Sequence, residues 1–141
     1  MKFTHTVLIV DDNFEDRFIL KRYLRKTTLS LVVLEASSGT EGLELLTTSV
    51  AELTKSHPEI TTPVTLFLDI NMPLMNGWQF IEEMERRRGE IQLCPTVVMM
   101  YSTSDSSNDK SRALESKTVS NYIVKGESSP EILERAILAV A

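Results

Sequence analysis

Five stretches of the chain are almost wholly apolar, and each is followed by a polar break and then by apolar positions at helical spacing. The stretches are Thr6 to Val10, Leu31 to Leu34, Val64 to Leu68, Thr96 to Tyr101 and Val119 to Val124. Runs this short, without a polar residue at every second position, predict strands covered on both faces. The fifth is more polar, which predicts an edge. Between the strands, Asn13 with Asp16 marks a helix start, and Phe18, Ile19, Tyr23 and Leu24 form its apolar stripe. Ser38 and Glu41 have capping-box spacing before a second helix that uses Leu43, Leu45 and Leu46, and Val50 and Leu53 if it is extended. Ser56 to Pro63, polar with two prolines, predicts a surface loop in which His57 is solvated. Pro73 and Gly77 bracket a tight loop before a helix facing inward through Trp78, Phe80, Ile81 and Met84. A short helix is expected around Lys110 to Leu114. Ser128, Ser129, Pro130 and Glu131 open a last helix with the stripe Ile132, Leu133, Ala136, Ile137 and Val140.

Strand and helix alternating five times imply an α/β domain with a mostly parallel sheet and helices on both faces. In such sheets the working groups gather at the carboxyl ends of the strands. Those positions hold Asp11 and Asp12 after the first strand, Glu35 after the second, Asp69 after the third, Ser102 after the fourth and Lys125 after the fifth. A lone carboxylate there can be a turn or helix-cap residue, but three acids with a hydroxyl and an amine form a set. If the first and third strands are neighbours at the switch point of the sheet, Asp11, Asp12 and Asp69 share one crevice. Carboxylates within about 5 Å repel by a few kcal/mol and need a counter-charge. Oxygen ligands without histidine or thiolate select a hard divalent ion, and few ligands with room for water and phosphate favour Mg²⁺. Lys125 and the Ser102 hydroxyl would complete a site for a tetrahedral phosphoryl group, with one carboxylate as the nucleophile that forms an acyl phosphate.

The 141 residues suit one domain, with 42% hydrophobic and 25% charged residues as in globular proteins. A net charge of −5 opposes direct nucleic-acid binding. Residues Met1 to Thr6 lack the apolar core and cleavage site of a secretory signal, and no apolar run reaches membrane-spanning length, so a cytoplasmic protein without membrane insertion is expected. The single cysteine, Cys94 beside Pro95, is expected to be a buried inert thiol. Arg86, Arg87 and Arg88 suit the C-terminal end of a helix and need no ligand.

The segments Leu8-Ile9-Val10-Asp11-Asp12, Leu68-Asp69-Ile70-Asn71-Met72-Pro73-Leu74-Met75-Asn76-Gly77, Tyr101-Ser102-Thr103-Ser104 and Tyr122-Ile123-Val124-Lys125 resemble the successive signatures of response-regulator receiver domains of two-component signalling. The resemblance covers essentially the whole chain. It implies a single receiver domain over residues 1–141, with a doubly wound, flavodoxin-like, five-stranded parallel sheet of order 2-1-3-4-5. By it Asp69 is the phospho-acceptor, Asp12 a direct Mg²⁺ ligand, Asp11 a ligand through water, and Asn71 a ligand through its backbone carbonyl. Ser102 and Lys125 would bind phosphoryl oxygens, Ser102 and Tyr122 would form the switch, and Asn71 and Ser104 would tune dephosphorylation. Ser102 stands where threonine is commoner and keeps the hydroxyl. Gly126 replaces the usual proline, so the cis peptide common at that loop is not implied for this chain.

The implied function is that of a stand-alone response regulator, phosphorylated by a sensor histidine kinase or a histidine phosphotransfer protein and acting on a downstream protein that the sequence does not name. It would be no enzyme beyond its own phosphorylation and dephosphorylation, and the resemblance admits a phosphorylation-dependent homodimer. Three other classes fit less well. A Mg²⁺-dependent phosphatase wants a second acid two residues after its nucleophile, which Asp69-Ile70-Asn71 lacks. A flavin module wants a hydroxyl- and glycine-rich loop where Asp11-Asp12 stands. A non-phosphorylated adaptor of the same fold would tolerate loss of the acids or the lysine, and this chain has kept them all.

Overall fold

The computed structural model describes residues 4–48, 52, 60–88 and 96–140. In chain order they form β1 (Thr4–Val10), α1 (Phe14–Arg25), β2 (Ser30–Ala36), α2 (Gly39–Thr47), β3 (Ile60–Leu68), α3 (Gly77–Arg86), β4 (Thr96–Ser102), α4 (Ser107–Glu115), β5 (Val119–Val124), a 3-10 turn (Lys125–Glu127) and α5 (Pro130–Val140). The five strands pair in parallel in the order β2-β1-β3-β4-β5, as the resemblance implied. Expectations on Val50, Leu53, His57 and Cys94 lie outside the described residues. Among the described residues no helix is long and apolar enough to cross a membrane.

Successive residues of each strand point to opposite faces, so one continuous apolar run feeds two cores. Leu8, Val10, Leu66, Leu68, Val98 and Met100 pack against Leu43 and Leu46 of α2, Phe80 and Met84 of α3 and Ala113 of α4. Val7, Ile9, Phe67, Met99 and Tyr101 pack on the other face against Leu20 and Leu24 of α1 and Leu133 and Ile137 of α5. Full burial of each large apolar side chain contributes about 1.5–3 kcal/mol. The central strands therefore form a stiff base for whatever stands at their carboxyl ends.

Three expectations are corrected. The buried face of α1 runs through Leu20 and Leu24, with Tyr23 packed beside them, while Phe18 and Ile19 are 50% and 44% exposed. The rotation of the helix is set by Arg17, which donates to the Asp11 carbonyl at 2.8 Å and to Glu35 at 3.0 Å. Second, residues 60–63 of the expected surface loop belong to β3. Pro63 is tolerated there because the β1–β3 register shifts between His5 and Val7, and an irregularity of this kind is where a strand accommodates proline. Third, on α5 Leu133, Ala136 and Ile137 are buried but Ile132 is 37% exposed. The α3 face, the β5 edge and the caps by Asn13 and Ser38 are as expected.

Candidate functional site

Two strand ends bring two carboxylates together. The parallel register places Val10 beside Leu68, and the ladder continues as Asp69 N–H donates to the Val10 carbonyl at 2.9 Å and Asp11 N–H to the Ala36 carbonyl at 3.1 Å. Asp11 and Asp69 thus leave the sheet side by side, only 3% and 7% exposed. Asp12, one residue further, is exposed. A carboxylate oxygen from each of the three lies within 4.8 Å of the others.

Each of the two buried acids is held by its own turn. Asp11 Oδ1 accepts from Asn13 N–H at 2.9 Å, and Asp69 Oδ1 accepts from Ile70 N–H at 3.0 Å. After Asp69 the chain folds back sharply: Gly77 N–H donates to the Ile70 carbonyl at 2.8 Å, and Leu74 takes the left-handed conformation with φ of 67°. Asn76 and Gln79 then close a reciprocal capping box at the start of α3. Asn71, two residues past Asp69, is exposed on this loop.

Lys125 extends from the end of β5 into the acid cluster, its side chain only 10% exposed. Its ammonium donates to Asp11 Oδ2 at 2.6 Å and to Asp16 Oδ2 at 2.9 Å, with Asp69 Oδ1 further off at 3.6 Å. Burial lowers the lysine's proton affinity, but the bonds to Asp11 and Asp16 and the charge of Asp69 outweigh it, so its pKa lies above that of an ordinary lysine. Asp69 moves in the unusual direction for an acid. Burial, followed by the charge of Asp11 and more weakly that of Asp12, pushes it up to about 6, and neither Lys125 nor the Ile70 N–H cancels this. One ammonium therefore does not neutralise the cluster.

That surplus of negative charge, on oxygen donors alone, fits a hard divalent cation. Asp11, Asp12 and Asp69 are the residues that would hold it.

Ser102 ends β4 and is fully buried; its Oγ accepts from Ser104 N–H at 3.2 Å. Ser104 Oγ donates to Asp109 at 2.8 Å, and its carbonyl accepts the Tyr122 hydroxyl at 2.7 Å. Tyr122 is thus half-buried and tied to the β4–α4 loop in this state, not free in solvent. Glu35 does not join the cluster. It lies inside β2, paired with Ile9, and its carboxylate is taken by Arg17 and Lys21, whose bonds outweigh the effect of burial and hold its pKa low. Asp16 is the residue missed from the sequence: spaced three from Asn13, it signalled only a helix cap. Its backbone does bond the Asn13 side chain, at 2.9 Å, and its carboxylate in addition accepts from Lys125 at 2.9 Å.

The sequence profile of the response regulator receiver domain matches residues 7–137. A sensor histidine kinase of Helicobacter pylori, CheAY, is 31% identical over 136 residues, which is 94% of this chain but 15% of that protein's length. The structure of a two-component response regulator from Cytophaga hutchinsonii superposes with a TM-score of 0.75 at 23% identity, covering 99% of this chain and 98% of that one. The receiver domain of the histidine kinase CKI1 from Arabidopsis thaliana, in complex with Mg²⁺ and BeF₃⁻, superposes with a TM-score of 0.72 at 23% identity, covering 96% and 90%.

Proposed function

The chain belongs to the response regulator receiver domain family, and on that premise we propose that it accepts a phosphoryl group on Asp69 and signals through a phosphorylation-dependent change of its surface. The observation that carries this reading is the convergence of Asp11, Asp12 and Asp69 at the carboxyl end of the sheet, with the buried Lys125 ammonium against Asp11 and Asp69. The donor is a phosphohistidine of a sensor histidine kinase or a histidine phosphotransfer protein, and a cytoplasmic location belongs to the same reading. The relative from Helicobacter is a sensor histidine kinase, which supports that choice of donor.

In the step itself an Asp69 oxygen attacks phosphorus, the P–N bond to imidazole breaks, and the leaving nitrogen takes the bond pair and a proton. Lys125 and Ser102 hold phosphoryl oxygens. Asp11, Asp12 and Asp69 with the Asn71 carbonyl would hold Mg²⁺, which would supply positive charge against the phosphoryl oxygens. Water later cleaves the acyl phosphate. Asn71 and Ser104, small polar groups without general-base character, flank its approach and tune the rate. The chemistry assigned to the chain is its own phosphorylation and dephosphorylation.

The direct test is incubation with Mg²⁺ and acetyl phosphate. One phosphoryl group that hydroxylamine removes is expected on the parent protein and none on Asp69→Asn. Undiminished transfer to the variant would refute Asp69 as the acceptor.

A further inference from the structure

Asp109 uses both carboxylate oxygens, and neither serves its own helix. Oδ2 accepts from Ser104 Oγ at 2.8 Å in the β4–α4 loop, and Oδ1 accepts from the Trp78 indole N–H at 3.2 Å on α3. The first turn of α4 is tied in this way to a helix 31 residues earlier in the chain. The other face of the tie is covered by Arg112, whose guanidinium stacks 4.6 Å from the Trp78 ring centre. Beyond it lies a shallow groove between α3 and α4 bounded by Trp78, Glu82, Arg112 and Lys117.

An acid in the first turn of a helix needs no further reason than the macrodipole, and Asp109 occupies such a position. The dipole, however, asks only for charge. It does not account for two hydrogen bonds directed away from α4, nor for their reaching Ser104, which the Ser102 hydroxyl also holds through its backbone N–H.

We propose that Asp109 is a positioning residue that carries the state of Asp69 to the α3–α4 groove, through Ser102 and Ser104. The proposal rests on Asp69 being the acceptor. A phosphoryl group on Asp69 is a charged, strong acceptor for the Ser102 hydroxyl. As Ser102 reorients, its bond to Ser104 N–H is lost and Ser104 moves. Because Ser104 Oγ is bonded to Asp109 and Asp109 to Trp78, the movement either pulls the indole or breaks the tie, and both alter the groove. The face over Tyr122 and this groove then answer to the same event from opposite sides of one loop.

Trp78 is the sole tryptophan of the chain, so its emission reports this contact. The experiment follows Asp69 loading by intact mass, with Mg²⁺ and acetyl phosphate, and Trp78 emission in the same samples. In the parent protein the emission should change in proportion to loading. Asp109→Ala should still load Asp69, yet lose the phosphate-dependent change about fivefold, the equilibrium factor of one lost hydrogen bond. Adding Ser107→Asp to Asp109→Ala returns a first-turn charge without the tie. That double variant should recover thermal stability and still show the reduced response. An equal response in the parent and Asp109→Ala, or recovery of the response with Ser107→Asp, would overturn the proposal. Loading of the parent without any Trp78 change overturns it as well and leaves the phospho-acceptor reading intact. Absence of loading removes both.

Discussion

The ammonium of Lys125 lies 2.6 Å from Asp11 and 3.6 Å from Asp69, so the cation of the site rests on the first strand's acid and not on the third strand's. With Asp16 as its other partner at 2.9 Å, it holds α1 against the sheet ends as much as it serves the acceptor. Replacing it by methionine keeps the bulk of the stem and leaves Asp11, Asp16 and Asp69 without a counter-ion. Removing one partner of a buried ion pair costs on the order of 3 kcal/mol. Lys125→Met should therefore lower unfolding free energy by about that amount at pH 7. The loss should shrink at pH 5, below the raised pKa of about 6 of Asp69, and shrink with added Mg²⁺. Urea melts at the two pH values, with and without the ion, measure it.

The position of Asp69 has a pH signature of its own. Its folded pKa of about 6 lies above the 3.8 of an ordinary aspartate, so it binds a proton more tightly folded than unfolded. Its contribution to stability is fully present below about pH 4 and is lost as pH rises through about 6. A shift of this size corresponds to on the order of 3 kcal/mol. Asp69→Asn keeps the shape and stays neutral at every pH. The difference in unfolding free energy between variant and parent should be near zero at pH 4 and should favour the variant increasingly to pH 7. Saturating Mg²⁺ should erase much of that advantage. A difference that does not vary with pH would show that Asp69 is not electrostatically destabilised.

Asp12 is exposed and shares the cluster with two buried acids, so it owes its place to something other than packing. Asp12→Ala should leave stability in chelator equal or higher, since one repulsive charge is gone. Its Mg²⁺ affinity should fall by on the order of tenfold or more, because even a residue behind a metal ligand costs that much when removed. The parent should gain stability as Mg²⁺ is raised and the variant should not. Calorimetric titration and thermal melts across a Mg²⁺ series read both effects, and unchanged affinity would remove Asp12 from the ligand set.

The frame of this site was legible because buried parallel strands leave an unbroken apolar record, and the residue that ends the record is the one that reaches the crevice. Asp11, Asp69, Ser102 and Lys125 stand where such runs stop. What was not legible depends on partners distant in sequence. Asp16 and Asp109 both carry the ordinary signature of first-turn helix acids, and nothing local tells that one reaches Lys125 and the other Trp78. Glu35 was misplaced because β2 runs two residues past its apolar core, to Ala36. The α1 face slipped because Phe14, Phe18, Ile19, Leu20, Tyr23 and Leu24 offer more apolar positions than one face can bury, and the choice falls to the contacts of Arg17.

Two glycines near the site behave oppositely, and the difference tests how the Asp69 turn is held. A Cβ added at Gly77 would stand 2.5 Å from the Asp69 carbonyl oxygen and 2.9 Å from Ile70 Cα. Both are backbone atoms of the turn that positions the acceptor, and the Gly77 N–H closes that turn at 2.8 Å. They can yield only by moving the acceptor residue itself. Gly77→Ala should cost about 1–3 kcal/mol, the range for forced overpacking. It should also slow phosphorylation by acetyl phosphate while the variant remains folded. A Cβ at Gly126 meets nothing within 4 Å, although this residue follows Lys125 directly. Gly126→Ala should therefore stay within about 0.5 kcal/mol of the parent and load at the parent rate. Equal behaviour of the two variants in melts and in loading would show that the close approach of Gly77 does not hold Asp69 in place.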